Sequence, residues 1–460
     1  MTALLFEPLQ RELRPLTDRL AAGGHRLYLV GGTVRDLLLA RAGREAAHSM
    51  SNDFDIDLTT TARPDAIKRC LDGWADTIWT QGERFGTIGA MKRLPGPSPG
   101  TTIERIYEIT THRAEAYRDD SRKPDVDFSD DVRADLSRRD FTVNAMAVEL
   151  TSSAERVGAA VDASTVVDPF GGEADLAAHR LRTPMSPQQS FSDDPLRMLR
   201  AARFIAKYGL KPEAGLVAAV GSMCDRLAIV SAERIRDELH KLLAAPVPDA
   251  GLRFCIDAGV MRHVVPELGD EAHLARTAIV MVGAVGGGRH VMRLAALVYQ
   301  LEQPGRRLRA LRHSTADVHD VVTITRESRR LLESVLASPN GITDAAIRRH
   351  VSDAGPLLGE VLELTRCAAE HGSADAVAGL AALRAVNLAV RRIEELGEAE
   401  DLSDLGSELD GSDVMNILAV PAGREVGAAL EFLRSLRLEE GLLGRAAATE
   451  RLVEWWRDRD

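Results

Sequence analysis

The first 180 residues show two periodic patterns of hydrophobic and polar residues, one typical of helices and one typical of strands. Residues 1–24 predict a helix that ends in a glycine pair, and Leu27–Val30 predicts a short buried strand. A second glycine pair then forms a tight turn, and Thr33 caps a helix that continues to Arg41. Further along, a helix opens at Pro64, and strands are predicted at Phe54–Leu58, Ile78–Trp79, Gly86–Met91 and Ile103–Thr110.

Strand patterns stop near residue 180, and helical periods continue to the end of the chain. Three polar stretches interrupt the pattern: 92–100 is rich in Pro and Gly and joins two strands, 112–136 predicts a loop, and 396–413 predicts an exposed linker. The whole pattern predicts an α+β head that consists of a mixed sheet with helices. An all-helical body follows this head. The clearest helices of that body are Asp194–Tyr208, Ser231–Leu243 and Gly251–Val260.

Length and composition narrow the class of protein. A chain of 460 residues is too long for one ordinary domain and predicts about two to four. Hydrophobic residues make up 45% and charged residues 28%, which is ordinary for a globular protein. Aromatic residues make up only 4%, which argues against a single-strand binder built on rows of stacked aromatic rings.

Charge is distributed unevenly along the chain, whose formal net charge is −11. Residues 180–350 hold 25 Lys and Arg against 18 Asp and Glu, whereas residues 351–460 hold 11 against 22. A polyanion such as RNA could therefore bind along the middle of the chain although the whole protein is acidic. The alternative is ordinary charge scatter on solvated helices.

The cysteines and the apolar runs bear on where the protein works. Cys70, Cys224, Cys255 and Cys367 are far apart and form no CxxC pair, which argues against a disulfide framework or a zinc site and fits a reducing cytosol. The first 16 residues contain four charges and no signal-peptide core. No apolar run reaches the roughly 18 residues of a membrane helix. These features predict a cytoplasmic protein without a membrane partner.

Asp55 and Asp57 are the first candidates for chemistry. They lie two residues apart on a predicted strand, and residues i and i+2 of a strand point to the same side. Two adjacent carboxylates repel each other unless a cation lies between them. Mg²⁺ is the obvious candidate, because it prefers a few carboxylates together with phosphate oxygens. The alternative is a solvated acidic strand face.

The turn that precedes this strand is a candidate phosphate site. Gly31 and Gly32 let a phosphate approach backbone N–H groups at the N-terminus of the following helix, and Arg35 adds a guanidinium group. The stretch lacks the third glycine of a dinucleotide fingerprint and the GK[ST] of a P-loop. The alternative is a plain corner between strand and helix.

A third candidate group lies on the helix predicted from Asp194. Asp194, Arg197, Arg200 and Arg203 are spaced by three and share one drifting face of that helix. A carboxylate beside a guanidinium can bind a base edge, since Asp accepts from an exocyclic amine and Arg donates to ring acceptors. The other arginines could reach phosphates. A surface helix with salt bridges explains the same spacing.

Considered together, these motifs resemble one family, the tRNA nucleotidyltransferases (CCA-adding enzymes) and bacterial poly(A) polymerases. The resemblance is specific over the first 245 residues, thin between 270 and 400, and weak near the C-terminus. The block Arg138–Ala145 indicates only a capped helix start when considered alone, but it fits the family's order. The matching blocks are Leu29–Asp36, Asp55–Ala62, Gly82–Thr87, Arg138–Ala145, Asp168–Gly172, Asp193–Arg203 and Glu233–Ile235.

The resemblance implies a head like that of DNA polymerase β and assigns roles to single residues. It implies Mg²⁺ on Asp55 and Asp57 and base selection by Asp194 and Arg197, and it implies triphosphate contacts from Gly32, Arg35, Arg139, Arg200 and Arg203. It also implies four regions: a nucleotidyltransferase head at 1–178, a helical nucleotide- and RNA-binding neck at 179–268, a helical body at 269–395 that is a degenerate relative of the HD domain, and a helical tail at 396–460.

One departure from the family's pattern concerns a second activity. Tyr299 and Gln300 stand where many bacterial relatives have the metal-binding His-Asp pair of an appended phosphohydrolase domain. These two side chains cannot supply the ligands for that chemistry, so no such activity is predicted.

The predicted reaction is attack of an RNA 3′-OH on the α-phosphate of CTP or ATP, with tRNA as the RNA and pyrophosphate as the leaving group. Glu108 lies on a predicted strand and could add a third carboxylate. The alternatives are a poly(A) polymerase of the same family and a catalytically inactive RNA-binding relative. Whether CCA, CC or A is added, the oligomeric state and any protein partner do not follow from the sequence.

Overall fold

The chain divides into two units, which are described separately. One unit comprises Met1–Val230 with Asp257–His263, and the other comprises Ser231–Ile256 with Val264–Asp460. The finer division into head, neck, body and tail stays a prediction. The computed structural model describes residues 3–41, 55–96, 98–116, 125–153, 166–269, 271–286, 290–338, 340–372, 376–400, 402 and 405–459.

A mixed sheet organises the first unit. Within the described residues, seven strands pair in the order β3-β4-β5-β2-β1-β8-β9. The pair β2–β5 is parallel, and every other pair of neighbouring strands in this sheet is antiparallel. The strands are β1 (Leu27–Val30), β2 (Ile56–Thr60), β3 (Thr77–Trp79), β4 (Thr87–Pro95), β5 (Thr102–Thr111), β6 (Arg113–Ala116), β7 (Asp125–Phe128), β8 (Ala147–Leu150), β9 (Val166–Val167), β10 (Arg180–Leu181) and β11 (Lys211–Pro212).

The strand β1 lies inside this sheet, between β2 and β8. All four of its residues, which are Leu, Tyr, Leu and Val, are buried, so both faces of the strand are covered. On one face, Tyr28 and Val30 form a core cluster with Val132 and Leu136 of a short helix. This packing fixes the position of the turn at Gly31, which follows β1 directly.

Helices cover the sheet and close the first unit. Pro64 begins one of them, where its fixed φ suits the first helical position. The helices of this unit are α1 (Ala3–Ala22), α2 (Gly32–Arg41), α3 (Pro64–Leu71), α4 (Val132–Ser137), α5 (Gly172–Ala177), α6 (Pro187–Asp193), α7 (Arg197–Tyr208) and α8 (Ala214–Met223), together with the 3₁₀ helices Glu83–Phe85, Thr142–Asn144 and Cys224–Ile229.

Three local predictions are wrong. The helix predicted from Asp194 begins at Arg197, because the residue before a proline is disfavoured in the helical region and Asp194 precedes Pro195. Thr33 is not a cap, since α2 already begins at Gly32. The predicted loop 112–136 contains the antiparallel pair β6–β7 and the helix α4. Cross-strand pairing and packing on the sheet supply an order there that local polarity does not reveal.

The second unit consists of helices, as the sequence predicts. One core cluster joins residues of its central helices and a separate one lies near the C-terminus. With the short α11, which crosses the boundary between the units, the helices are α9 (Ala232–Leu243), α10 (Pro248–Asp257), α11 (Met261–Val264), α12 (Pro266–Gly269), α13 (Ala272–Ala284), α14 (His290–Val298), α15 (Pro304–Ala310), α16 (Thr315–Leu336), α17 (Asp344–Ala354), α18 (Leu358–His371), α19 (Ala376–Ala399), α20 (Gly411–Leu418), α21 (Arg424–Glu440) and α22 (Arg445–Arg457).

Some buried charged groups inside the helical unit are paired. Glu400 binds Arg348 at 2.8 Å and also accepts from Arg437, and all three side chains are largely buried. Tyr299, which directly follows α14, is buried, and the Arg329 guanidinium lies 5.2 Å from its ring centroid. None of the helices in the described ranges is long and apolar enough to cross a membrane.

Candidate active site

The paired carboxylates lie at the start of β2. Asp55 directly precedes the strand and is exposed, whereas Asp57 lies within it and is partly buried. A Cβ placed on Gly31 would lie 3.3 Å from the Asp57 Oδ2 atom, so the glycine turn directly faces this carboxylate. Gly31 has a φ of +70°, a conformation that glycine adopts without strain. The two predicted motifs therefore form one site.

A third carboxylate joins them from β5. In the parallel pair β2–β5, Glu108 is the direct neighbour of Asp57, so their side chains leave the same face of the sheet. Burial raises the pKa of Glu108, and the nearby charges of Asp57 and Asp55 raise it further. The sequence placed Glu108 on a strand, but only the strand pairing brings it to Asp57.

Asp57 lies in an environment that opposes its charge. Burial is the largest cause that raises its pKa, and Asp55 adds repulsion, while Arg139 and Arg35 act in the opposite direction without outweighing these effects. Asp57 is partly buried, whereas Asp55 and Glu108 are exposed, and the charges of these two carboxylates act on each other and on Asp57. A divalent cation would relieve this repulsion, and clustered carboxylate oxygens are the ligands that Mg²⁺ prefers.

Arg139 lies over the glycine turn. Its Nη1 atom would be 2.7 Å from a Cβ on Gly31, and its Nη2 donates to Asp135 at 3.3 Å. Asp135 is fully buried; burial alone would raise its pKa, but Arg138 and Arg139 outweigh burial and lower it. The Nε–H of Arg139 makes no hydrogen bond within the described part of the chain. The buried carboxylate thus holds a guanidinium group beside Asp57.

A buried network connects two other predicted residues, Arg35 and Arg200. Arg35 is only 5% exposed; its guanidinium donates to Asn144 and lies 4.3 Å from the Tyr208 ring centroid. Asn144 donates to Asp140 at 2.9 Å, and Arg200 donates to the same carboxyl group at 2.9 Å. Burial raises the pKa of Asp140, but Arg200 and Asn144 outweigh it and lower the pKa.

This network changes the interpretation of Arg35 and Arg200. Both guanidinium groups are engaged in holding α2, the 3₁₀ helix Thr142–Asn144 and α7 together, so a direct phosphate contact by either one stays a prediction. Arg203 lies on the same helix as Arg200, and its guanidinium is 5.0 Å from the Phe204 ring centroid. The sequence block Arg138–Ala145 contained the signal for Asp140 and Asn144, but it could not show what they bind.

Asp194 and Arg197 lie at the turn between α6 and α7. The Asp194 carboxylate accepts from the Leu196 backbone N–H at 3.1 Å. Arg197 donates to the Ser190 hydroxyl at 2.9 Å and to the Arg138 backbone carbonyl. The two residues are therefore close in the chain, but they do not share one face of a helix. The sequence prediction of a shared helical face is wrong. Arg197 also lines a polar cavity of about 140 Å³ together with Arg138, Gln189, Ser190 and Asp193.

The Asp168–Gly172 block packs against the 3₁₀ helix Thr142–Asn144, which belongs to this network. Asp168 accepts from the backbone N–H groups of Gly172 and Glu173 at 2.7 and 2.9 Å, which satisfies donors at the N-terminus of α5. A Cβ on Gly172 would lie 2.1 Å from the Thr142 carbonyl oxygen. Only glycine permits this close approach, which seats α5 against the 3₁₀ helix Thr142–Asn144.

Comparisons with known proteins agree with this arrangement. The model of the "Poly A polymerase head domain" matches residues 27–182, and that of the "Probable RNA and SrmB- binding site of polymerase A" matches residues 209–271. The sheet and its carboxylate edge thus define a protein with a poly(A) polymerase head. The chain belongs to the family of CCA-adding enzymes, because it is 30% identical over 340 residues to such an enzyme of Lacticaseibacillus paracasei, covering 73% of this chain and 74% of that protein.

Other relatives and solved structures extend the comparison. A CCA-adding enzyme of Limosilactobacillus fermentum is 35% identical over 259 residues, but the match covers 56% of this chain and 55% of that protein. The chain thus spans little more than half the length of several curated relatives that it matches. The crystal structure of the Bacillus stearothermophilus CCA-adding enzyme in complex with CTP has a TM-score of 0.67 at 24% identity, covering 99% of this chain and 98% of that one.

A second solved structure supports the same fold. The Thermotoga maritima CCA-adding enzyme complexed with tRNA has a TM-score of 0.64 at 18% identity and covers 98% of this chain and 96% of that one. These likenesses confirm the predicted fold class, a mixed-sheet head followed by a helical body. Head-domain nucleotidyltransferases generally use a divalent metal. The roles of the single site residues stay predictions.

The approach of Gly31 to Arg139 gives a first prediction. Gly31→Ala places a methyl group against the Arg139 guanidinium, so we expect affinity for a nucleoside triphosphate to fall at least tenfold, about 1.4 kcal/mol. Gly24→Ala is the matched control, since Gly24 has a φ of +75° and no atom within 4 Å of its ideal Cβ. Calorimetric titration measures both. Equal affinity in the two variants would contradict the prediction that the contact with Arg139 matters at Gly31.

The buried Asp140 gives a second prediction. Asp140→Asn removes the charge that faces Arg200, and we expect a loss of about 3 kcal/mol in the free energy of unfolding. Because the folded-state pKa of Asp140 is lowered, its contribution is present at neutral pH and declines below about pH 4, where the unfolded side chain binds a proton. Urea denaturation at several pH values tests this, with the exposed Asp130→Asn as control. A difference that is constant down to pH 3 would contradict it.

Proposed function

We propose that this chain adds C and A nucleotides from CTP and ATP to the 3′ end of tRNA and releases pyrophosphate. One observation carries the proposal: Asp57 and Glu108 are direct neighbours on β2 and β5, Asp57 faces the glycine turn that follows β1, and Asp55 precedes β2. Relatives that are named CCA-adding enzymes, and solved structures of such enzymes with CTP, ATP or tRNA, support the choice of substrates. A cytosolic location belongs to the same proposal.

Asp55 and Asp57 would hold Mg²⁺, with Glu108 as a third carboxylate. Their fit to a cation rests on the pairing of Asp57 beside Glu108 with Asp55 next to them; burial is the largest cause that raises the pKa of Asp57 and Glu108, and the neighbouring carboxylates raise it further. Bound there, the metal would neutralise charge on the triphosphate and lower the pKa of the attacking 3′-hydroxyl group. The chain's own contribution is to hold these oxygens on adjacent, hydrogen-bonded strands, so little reorganisation is needed when substrate binds.

Arg139 and the backbone at Gly31 and Gly32 would bind the triphosphate. Arg139 is already held beside Asp57 by the buried Asp135, and its free Nε–H adds a donor. The amides at the start of α2 lie at a helix N-terminus, where the helix dipole favours negative charge. We assign Arg35 and Arg200 to the support of this surface through Asp140, with contacts from them and Arg203 to phosphates as a further part of the proposal.

Asp194 and Arg197 would select the base. C and A each present an exocyclic amine beside a ring acceptor, which suits one carboxylate and one guanidinium, whereas U and G place a carbonyl against the carboxylate. In the structure Arg197 donates to the Arg138 carbonyl and to Ser190. Base selection therefore requires that Arg197 exchange these contacts for contacts with the base.

RNA binding is assigned to the basic stretch 180–350, in keeping with the RNA-binding model that matches 209–271. We propose the same four regions as above: head at 1–178, neck at 179–268, body at 269–395 and tail at 396–460. The match to a poly(A) polymerase head keeps a poly(A) polymerase as the second candidate function.

One experiment separates the candidates. Purified protein is incubated with Mg²⁺, each nucleoside triphosphate and a tRNA that lacks its 3′-terminal CCA, and the products are sequenced. Addition that stops after CCA supports the proposal, and long A tracts would indicate the poly(A) polymerase. Absence of any addition with tRNA binding retained would indicate an inactive RNA-binding relative.

Removal of one metal ligand should separate catalysis from RNA binding. For Asp57→Asn we expect a loss of about 1,000-fold in kcat, equal to about 4 kcal/mol, because the carboxylate acts mainly on the transition state. The affinity for tRNA should change little, and it should weaken with salt as in the wild type. The exposed Asp65→Asn serves as control. Near-normal turnover of Asp57→Asn would refute the assignment.

Arg197→Ala should damage the choice of nucleotide more than the binding of triphosphate. In the wild type, a wrong base leaves buried polar groups unpaired, and this cost discriminates against UTP and GTP. Without Arg197 fewer polar groups are left unpaired, so the discrimination should fall by roughly 1–3 kcal/mol. The ratios of kcat/KM for the four nucleotides, measured in wild type and variant, test this. A uniform loss of rate with unchanged ratios would show that Arg197 only positions the Arg138 backbone.

A further inference from the structure

A second group of potential ligands lies in the first unit, on residues to which the proposed reaction assigns no role. Cys224 and Asp225 begin the 3₁₀ helix Cys224–Ile229, and His263 lies on α11. One donor atom from each side chain lies within 4.8 Å of the other two. Elsewhere in the described part of the chain, no other set of Cys, His, Asp and Glu side chains meets this condition.

One of the three distances between these donor atoms is close to the edge of a coordination tetrahedron, and the other two are no longer than 4.8 Å. The His263 Nε2 atom lies 3.2 Å from the Asp225 Oδ1 atom. Zinc bonds of about 2.0 Å to nitrogen or oxygen and about 2.3 Å to sulfur give ligand-to-ligand distances of about 3.3 to 3.6 Å in a tetrahedral site. A cation placed among these three atoms would therefore need only small side-chain movements.

The Nε2 ring nitrogen of His263 is a potential metal ligand. Nε2 is buried, and it makes no hydrogen bond with any residue that the structure describes, although the Asp225 carboxylate is near. A buried polar atom that lacks a partner is costly. A metal ion that accepts the Nε2 lone pair would remove this cost.

We propose that Cys224, Asp225 and His263 bind Zn²⁺ or a related transition-metal ion, at a site independent of the carboxylates on β2 and β5. A thiolate and an imidazole select soft and borderline metals, whereas carboxylates alone suit Mg²⁺. The two sites thus prefer different metals by the chemistry of their ligands. This proposal does not depend on the proposed function.

The exposure of the ligands shows how the metal would enter. Cys224 is buried at 4% exposure, whereas the Asp225 side chain is 88% exposed. The metal would thus approach from solvent on the Asp225 side and bind the thiolate and imidazole at the protein surface. Three protein ligands leave a fourth position, which water would occupy.

Binding has a defined proton balance. The thiol of Cys224 loses its proton to the buffer when the sulfur–metal bond forms, and the carboxylate of Asp225 and an imidazole lone pair of His263 complete the ligand set. About one proton should therefore be released for each metal ion bound near neutral pH. The metal would connect the 3₁₀ helix Cys224–Ile229 to His263 within the first unit.

The test uses Co²⁺ as a spectroscopic probe on the full-length chain after treatment with a chelator. We expect one Co²⁺ per chain with a thiolate-to-cobalt charge-transfer band, which Zn²⁺ abolishes by displacement and millimolar Mg²⁺ does not. Cys224→Ser should remove the band, and His263→Ala should lower the affinity at least about 100-fold. Release of one proton per metal is followed in weak buffer.

Three controls keep the result interpretable. Cys70→Ser should leave the band unchanged, because Cys70 is a thiol outside this group. Asp55→Asn combined with Asp57→Asn should also leave it unchanged, which separates this site from the carboxylates. Asp225→Ala changes an exposed side chain that folding does not need, and we expect about tenfold weaker binding.

Several outcomes would overturn the proposal. Absence of a charge-transfer band in the wild type, a band that persists in Cys224→Ser, or Co²⁺ binding that Asp225→Ala and His263→Ala leave unchanged would each do so. Circular dichroism verifies that every variant is folded. Zn²⁺ should also raise the melting temperature of the wild type but not of Asp225→Ala, since only the native state offers all three ligands.

Discussion

A single buried carboxylate holds the candidate site together. Asp140 accepts from Arg200 and from Asn144, and Asn144 in turn accepts from Arg35, so the network connects α2, the 3₁₀ helix Thr142–Asn144 and α7. A buried guanidinium or carboxylate is costly unless it is paired. This requirement fixes the mutual position of the glycine turn and the arginine helix, on which every proposed contact with nucleotide depends.

The edge of the sheet that carries Asp57 and Glu108 combines this rigid support with repulsion between carboxylates. Parallel pairing of β2 and β5 places Glu108 beside Asp57, and burial raises the pKa of both carboxyl groups. Arg139 offsets only part of the repulsion. Strain of this kind is expected where a cation completes the site, because the protein alone leaves the negative charge uncompensated.

The two proposed cation sites illustrate how donor type separates functions in one fold. The carboxylates on β2 and β5 offer only oxygen, which suits an ion that must also bind phosphate. Cys224, Asp225 and His263 offer sulfur, oxygen and nitrogen, which suits an ion that stays in place.

The sequence by itself determined the features that depend on local periodicity. The strand Leu27–Val30, a strand at Asp57, and the change from a mixed sheet to helices follow from side-chain direction and hydrophobic spacing. Spacing of blocks in family order also indicated the class. These signals lie within a few residues of one another, so no knowledge of distant contacts was needed.

Only the tertiary structure decided which distant residues meet. The parallel register brings Glu108 to Asp57, and the buried network shows that Arg35 donates to Asn144 and Arg200 to Asp140, contacts that the sequence did not indicate. The sequence predicted a helical face shared by Asp194 and Arg197, but Pro195 delays the helix. The physical reason is that strand pairing, burial and charge compensation depend on neighbours far apart in the chain, whereas periodicity records only which way each side chain faces.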